Sequence, residues 1–520
     1  MAAHESGASV RLIEKQDRLG GTAAISGGVV WLPDHEQMEP QGKEDSAAEA
    51  LAYFLSLDHG EMDEDVLGAF VTEAGPMHSF LTEIGAIKLT MMPDYPDYYE
   101  DRPGAKAGGR SLDNELFDFT SLGEWRERIF DHGPAPRMML RETPLGGGSG
   151  VVEPEELQRR DAGDLRGWGQ ALVGRLLKAC LERGIEPALG CGGYRLCVEN
   201  GRVTGATVER GGKQETITAR NGVILATGGF EWNDALKHAF LRGPLDAPAS
   251  PPTNEGDGLK MAMAAGAGLG NMTSAWWVPT LAIPEAQWAS GEIRNMPVLI
   301  ERTLPHGIMV NREGKRFCNE AANYSALAGA FHAFDPATYA YPNLPAYLIF
   351  DSQYRERYPL ASFMPGTPLP DWVAVADSFE ALAEKIGVDA KNFPATVDRF
   401  NEQAEQRDDQ DFGRGKTDYD RFYGDRSREG AEATLGSVTK PPYYAVEIRM
   451  GALGTNGGAK TNAQAQIVDV DGEPIAGLFG AGNVISAPTG SVYAGAGGTL
   501  GPALTFGYIA GRAAARLVNQ

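Results

Sequence analysis

Glu14 ends the short aliphatic run Val10-Arg11-Leu12-Ile13-Glu14 and is followed by Leu19-Gly20-Gly21-Thr22. A carboxylate at the end of a parallel strand, ahead of a glycine turn, is suited to accept hydrogen bonds from the ribose hydroxyls of an adenosine. Further glycine turns follow at Ser26-Gly27-Gly28, Ala226-Thr227-Gly228-Gly229 and Gly482-Asn483. Glycine lets backbone amides approach a ligand with no side chain between, so turns spread along a chain suit one extended cofactor wrapped by several strand ends. The plain alternative is ordinary tight turns in an α/β protein.

The run 10–14 reads as the second strand of a dinucleotide-binding βαβ unit. Its first strand and GxGxxG turn belong roughly twenty residues earlier, ahead of Met1. Either the chain starts at a downstream Met or the dinucleotide site has been lost. Residues 2–6, read as the tail of that loop's helix, favour the first.

The elements that must position these turns are those of a large globular protein. Of 520 residues 66 are Gly, about 13% against a usual share of roughly 7%; there is no Gly-X-Y repeat, Pro numbers only 32, and 42% of residues are hydrophobic. Collagen-like and disordered chains are excluded. With 47 basic and 70 acidic residues the net charge is −23, which repels nucleic acid and anionic membranes. Cys180, Cys191, Cys197 and Cys318 form no CxxC and no zinc-type spacing, so they read as free thiols in a reducing compartment. The N-terminus lacks the basic and apolar regions of a signal peptide, and no long apolar run occurs, so a cytoplasmic protein is expected.

Apolar spacing predicts a helix over 63–85 with Pro76 opening a new turn, and a second over 169–183 capped by Gly184. Residues 86–150 read as loop. A meander is expected over 194–219 with its turn at Asn200-Gly201, and 222–229 as a buried parallel strand emptying into a glycine turn. A helix should follow from Asp257 to Ala267, and 377–400 should be largely helical with an acidic, solvated face. Aromatic and charged residues rise between 272 and 440, which suggests a second domain inserted into the first.

In order and spacing, Glu14, Gly20-Gly21-Thr22, Ser26-Gly27-Gly28, Ala226-Thr227-Gly228-Gly229 and Gly482-Asn483 resemble the flavoprotein subunits of the fumarate reductase and succinate dehydrogenase superfamily. The resemblance implies FAD on an α/β, Rossmann-like domain made of 1–271 and 441–520, lacking its first strand and GxGxxG turn, with an inserted α+β cap over 272–440. Members with covalent FAD carry a His just before the stretch that here runs from Thr22 to Gly28; none lies there, so non-covalent FAD is implied. Asp257 is a cofactor-side carboxylate by the same resemblance; a helix N-cap is its structural alternative.

Gly307 through Glu320 resembles the superfamily's strand-turn-strand entering the active site. Fumarate reductases place a proton-delivering Arg four residues after that Glu, where this chain has Tyr324, and the dicarboxylate clamp of the final glycine region is replaced by Ser491-Val492-Tyr493-Ala494-Gly495-Ala496-Gly497. A Tyr hydroxyl can hydrogen-bond a carbonyl but cannot neutralise two carboxylates, so an uncharged ketone is indicated. The Tyr-Ala-Gly-Ala-Gly motif with Thr499 through Gly507, together with Ser26 through Pro33 and Pro96-Asp97-Tyr98-Tyr99, resembles the 3-ketosteroid Δ1-dehydrogenases.

That resemblance implies that Tyr493 Oη and the Gly497 N–H hold the substrate's 3-keto oxygen, stabilising the enolate by roughly 3–4 kcal/mol per donor. Tyr324 would take the C2 proton, Tyr98 would relay it, with Tyr95 and Tyr99 as rivals for that place, and flavin N5 would accept hydride from C1. An ordinary phenol near pKa 10 is too weakly ionised for this, so the site must lower it or relay the proton. The amides at Thr499, Leu500 and Gly501, ahead of Pro502 in the last helix's first turn, would face the flavin. The partners implied are a small apolar ketone and an unidentified electron acceptor. Two alternatives stay open: a flavoprotein reducing an activated C=C through the same oxyanion hole, and a non-catalytic remnant. Trp276-Trp277 and Met91-Met92 read equally as cavity wall or core.

Overall fold

The computed structural model describes residues 1–131, 133 and 135–516. Its first six-stranded sheet runs in the order Gln466–Val468, Pro474–Gly480, Arg202–Arg210, Cys191–Glu199; Lys213–Thr218 also pairs with Arg202–Arg210, and Val223–Leu225 with Pro474–Gly480. Cys191 through Thr218 is the expected meander, and its Asn200-Gly201 turn has φ of 50° and 75°, the geometry that matches the twist of a tight hairpin.

Val223–Leu225 lies parallel to Pro474–Gly480, with Ile224 opposite Phe479. This strand is not buried as expected: Leu225 is 3% exposed but Ile224 is 37%, because the strand has a partner on one side only. The run Val10–Glu14 forms no strand either. It makes one parallel bridge, Ile13 to Ala188, and leaves Val10 and Leu12 at the surface. An extended segment becomes a strand only where a neighbour accepts its backbone hydrogen bonds.

The second six-stranded sheet is antiparallel, in the order Ile293–Pro297, Ala275–Gln287, Tyr443–Thr455, Ala346–Phe350, Gly307–Val310, with Ala374–Ala376 also on Tyr443–Thr455. The strand Tyr443–Thr455 thus carries this sheet past residue 440. Helices Phe379–Ile386 and Asn392–Gln406 cover one face, burying Leu382, Phe393, Val397 and Phe400 against Ile308, Val310 and Ile349. The helical stretch is broken at Gly387, whose φ of 72° ends the first helix.

Glu64–Glu83 is one continuous helix through Pro76, not two. Proline removes a single hydrogen bond, and this helix buries Val66, Leu67, Phe70, Val71, Ala74, Met77 and Leu81, which outweighs that loss. The helix after Gly256 ends at Ala264 rather than Ala267. Residues 86–150 are not simply loop: Ser111–Asn114 pairs with Val30–Trp31 on one side and Leu89–Met91 on the other in a three-stranded sheet, in pieces too short to show a period. Trp168–Glu182 matches the predicted helix, closed by Gly184 at φ 69°. The last helix, Leu500–Arg516, packs on Ala2–Glu5 and Glu64–Glu83. Among the described residues no helix is long and apolar enough to cross a membrane, and the four cysteines are free.

Candidate active site

Tyr98 and Tyr493 meet because the segment around Asp97 is tied to the final glycine region. Asp97, 2% exposed, accepts from Trp31 Nε1 at 2.8 Å, Arg110 Nη1 at 2.8 Å and the Lys106 N–H at 2.9 Å. The Tyr98 N–H then donates to the Ala494 carbonyl at 2.9 Å, a carbonyl that also accepts from Tyr53 Oη. The Tyr98 and Tyr493 rings stack at 5.7 Å and 10°. Arg110 is 1% exposed and also binds Asp45, whose carboxyl burial would push up but the guanidinium holds below the usual carboxylate range.

Tyr324 arrives from the other sheet. Glu320, fully buried, receives two bonds from Arg316 at 2.8 and 2.7 Å and one from the Met309 N–H at 3.1 Å. Arg316 continues to Asp409, and Arg414 reaches Glu320 at 3.3 Å. This anchor lies four residues before Tyr324 and sets its position. The Tyr324 ring then packs on Tyr493 at 5.3 Å, while the Tyr98 hydroxyl donates to Tyr324 Oη at 3.0 Å.

Tyr95, a rival of Tyr98 in the sequence, and Tyr419 and Tyr423, which the sequence did not single out, complete the cluster. Tyr95 and Tyr423 are hydrogen-bonded through their hydroxyls, and both hydroxyls interact with that of Tyr98. Tyr419 packs on the Tyr98 ring at 4.7 Å. Trp276 stands edge-on to Tyr493 at 5.4 Å, and its Nε1 donates to Asn483 Oδ1 at 3.1 Å. Met92 joins this cluster, whereas Trp277 points into the core of the second sheet.

Burial, with neighbouring tyrosines adding to it, pushes the Tyr95, Tyr98, Tyr324 and Tyr419 hydroxyls well above the ordinary phenol value. Tyr423 is pushed up to about 12, burial being partly offset by Tyr95, the Arg302 charge and Tyr98. Tyr493 is raised by burial against its contacts with Tyr324 and Thr499. The surroundings of Tyr324 raise its hydroxyl rather than lower it, and the Tyr98 hydroxyl stands in hydrogen-bond contact with it.

Gly497 has φ 92°, and a Cβ there would lie 2.5 Å from the Trp31 nitrogen and 2.6 Å from the Val29 oxygen. Glycine is thus required by packing on the strand Val30–Trp31, independently of any ligand. The Gly497 carbonyl accepts from the Trp31 and Gly501 N–H groups, so Gly501 does not keep a free amide as expected.

The glycine turns are joined by side chains the sequence did not flag. Asn254 Nδ2 donates to Thr22 Oγ1 at 3.0 Å and to Glu231 Oε1 at 2.6 Å. Glu231, fully buried, also accepts from Ser250 Oγ at 2.7 Å and the Thr455 N–H at 3.3 Å; burial pushes its carboxyl up and these donors pull it back. Residues 226–229 are thereby held beside the Gly20-Gly21-Thr22 turn, and Gly258 packs directly on Thr227. Ser26 Oγ accepts from the Gly28 N–H at 3.0 Å and closes the turn Ser26-Gly27-Gly28. Lys15 Nζ, next to Glu14, binds Asp257 at 2.7 Å and Glu255 at 3.1 Å. Asp257 is the first residue of its helix, and Gly256 stands at the cap position. Glu14 accepts from the Gln16 N–H, and burial raises its carboxyl.

Gly482, Asn483, Thr499, Pro502 and Trp276 line one hollow, with Leu500 starting the helix at its rim. Trp276 joins that hollow to Tyr493. Gly228 and Gly482 have φ of 76° and 71°, and the closest approach to a Cβ at Gly482 is 3.8 Å, so bare backbone faces open space there. Ala226 and Thr227 are exposed, and with the bare glycines and the first amides of the last helix they are groups of the kind that bind a dinucleotide. Of the sequence-predicted site residues, Gly482, Asn483 and Thr499 line this hollow, Tyr98, Tyr324 and Tyr493 form the tyrosine cluster, and Thr22 is tied to Glu231 through Asn254. Nothing local in the sequence marks Tyr423 or Glu231 for the site.

The FAD binding domain family matches residues 1–500. The 4-oxocyclohexanecarboxylate 2-dehydrogenase of Sinomonas cyclohexanicum is 40% identical over 517 residues, covering 98% of this chain and 89% of that protein. The 3-oxosteroid 1-dehydrogenase of Mycolicibacterium smegmatis is 34% identical over 548 residues, covering 98% and 93%. The crystal structure of 3-ketosteroid delta1-dehydrogenase from Sterolibacterium denitrificans, in complex with 1,4-androstadiene-3,17-dione, superposes with a TM-score of 0.90 at 34% identity, over 99% of this chain and 96% of that one.

Proposed function

Because the chain belongs to the FAD binding domain family, we propose that Tyr493, Gly497, Tyr324 and Tyr98 act together to desaturate a cyclic ketone at the bond next to its carbonyl. The protein is an FAD-dependent oxidoreductase acting on CH–CH groups, of the 3-ketosteroid Δ1-dehydrogenase kind. The observation that carries the residue roles is the Tyr98–Tyr324 hydroxyl contact, buried in ring contact with Tyr493.

Tyr493 Oη and the Gly497 N–H donate to the ketone oxygen, which gathers negative charge as C2 loses its proton; donors fixed before reaction stabilise that charge best. Tyr324 Oη, having given up its own proton through Tyr98 to bulk water beforehand, takes the C2 proton, and the Tyr98 hydroxyl that donates to it steadies its charge. FAD, when bound, would accept the hydride from C1. Thr499 and Leu500 would hold its isoalloxazine, Glu14 its adenosine, and Gly20-Gly21-Thr22 with 226–229 its phosphates. Attachment is non-covalent: no His lies in 22–28, and His35 Nε2 is bound to the Gly109 carbonyl at 2.8 Å.

We read the FAD domain as 1–271 and 441–520 in a Rossmann-like arrangement and 272–440 as the cap, with Tyr443–Thr455 the strand by which the cap's sheet runs past residue 440. Met92, Trp276, Tyr419 and Phe422 suit the apolar ring of an oxocyclohexane or a steroid. The free cysteines favour a reducing cytoplasm, and electrons leave the flavin to an external acceptor. Anaerobic mixing of the FAD-loaded protein with a saturated 3-ketosteroid or 4-oxocyclohexanecarboxylate tests the reading. Bleaching of the flavin with appearance of the enone is expected; no bleaching by either class overturns it.

A further inference from the structure

Arg302 is fully buried, yet unlike its neighbours Arg316 and Arg414, which share Glu320, it is held by carbonyls alone. Nε donates to Val298 O at 3.0 Å, and Nη1 donates to Ala322 O at 2.8 Å and to Glu320 O. Nη2 is buried without a hydrogen-bond partner among the described residues. The accepting carbonyls at 320 and 322 belong to the segment that ends in Tyr324. A guanidinium with no carboxylate in contact keeps its full charge in a low-dielectric surrounding, where it acts strongly on nearby hydroxyls.

The groups facing it are few. Tyr419 and Tyr423 feel its charge directly, and the Tyr419 hydroxyl is itself buried without a partner. Cys318 and Glu301 face it from its own part of the chain. Around the tyrosines, Asp420 lies near Tyr419 but is engaged by Asn319 Nδ2 and the Gly415 N–H, and Arg426 with Asp94 stands beside Tyr95.

We propose that Arg302 is the positioning residue of the proton-abstraction step: it fixes the backbone carrying Tyr324, and its unneutralised charge stabilises the negative oxygen that the tyrosine hydroxyl cluster carries when it accepts the C2 proton. This rests on Tyr324 being the base. In that step the C2–H bond breaks, its electron pair stays in the enolate, and the proton forms an O–H bond with a Tyr324 oxygen whose own proton has already left through Tyr98 to bulk water. The hydroxyl chain thus carries one negative charge before transfer and none after it, and Arg302 is the buried cation that acts on its Tyr423 end.

The test measures exchange of C2 deuterium from a labelled saturated ketone with solvent, across pH, in the FAD-loaded protein and its Arg302→Lys and Arg302→Met variants. Arg302→Met should move the midpoint of the pH profile upward by about one unit, a roughly tenfold loss of exchange at neutral pH. Arg302→Lys should keep the wild-type midpoint with a lower plateau, because charge is retained and the carbonyl clamp weakened. Arg302→Gln replaces the Met variant if the latter does not fold. Identical midpoints in neutral and charged variants would overturn the proposal and leave Arg302 a purely structural clamp. Absence of exchange in the wild-type protein with every ketone class would instead sink the assignment of Tyr324 as base.

Discussion

The Tyr98 hydroxyl donates to the Tyr324 hydroxyl across 3.0 Å, although 226 residues separate them in sequence. The Tyr98 backbone is at the same time bonded to Ala494, next to Tyr493. The proposed base, its relay and the oxyanion donor are therefore one mechanical unit, built from the strap at 97–98, the cap segment ending at Tyr324 and the final glycine region.

Residues that act in one proton chain should be non-additive. Tyr324→Phe is expected to lower kcat/KM by roughly 10²–10⁴-fold and Tyr98→Phe by less, with the double variant no slower than Tyr324→Phe alone. Steady-state kinetics of all three measure this; multiplicative losses would mean that the two hydroxyls act separately.

Tyr493→Phe removes one donor while keeping the stacked ring. Turnover should fall by roughly 10²–10³-fold, about 3–4 kcal/mol, with flavin content and thermal stability unchanged. Unimpaired turnover would take Tyr493 out of the oxyanion hole.

The raised hydroxyl pKa values make the fold sensitive to alkali. Above pH 10 an unfolded chain releases phenolic protons that the native cluster keeps, so stability is full below about pH 10 and is lost as pH rises beyond it. Tyrosinate absorbance from Tyr95, Tyr98, Tyr324 and Tyr419 should therefore appear together with unfolding measured by circular dichroism. Ionisation in the intact fold of more phenols than the single one that proton abstraction requires would contradict the burial argument.

Asp97→Ala leaves Arg110 buried with Asp45 as its remaining carboxylate and frees the strap that holds Tyr98. Breaking such a buried pair costs about 3–5 kcal/mol. Denaturant unfolding measures the loss, and activity should fall with it because Tyr98 is no longer held against Tyr493.

Asn254→Ala cuts the link between Thr22 and Glu231 and removes a donor from a buried carboxylate, a loss of about 1–3 kcal/mol. The two glycine turns then part, and the protein should leave gel filtration with a lower flavin-to-protein absorbance ratio. Full retention of FAD would show that the turns hold the cofactor without this bridge.

Several features were legible as local strings. Glycine turns can be read because positive-φ backbone and close approach admit almost no other residue, and the Tyr493 through Gly497 motif sits in such a stretch. The helix Trp168–Glu182 and the Asn200-Gly201 hairpin were equally readable, since their apolar spacing and turn chemistry are short-range. Other local signals misled. The aliphatic pattern of 10–14 describes a strand, but the run has one bridge and no ladder; Pro76 describes a break, but the apolar face buried on both sides of it keeps the helix whole.

The sequence by itself determined the chemistry on offer: phenols and bare amides for a ketone, glycine turns and a terminal carboxylate for FAD. Which phenols meet, and what charge they feel, only the tertiary structure decided. Tyr423 and Arg302 carry no motif: the Tyr423 hydroxyl meets that of Tyr95 across 328 residues, and Arg302, whose hydrogen bonds stay within its own segment, comes near Tyr423 only through how the antiparallel sheet and the 97–98 strap converge. Burial raises the Tyr324 hydroxyl and the Tyr98 hydroxyl donates to it, a pairing that no local string shows.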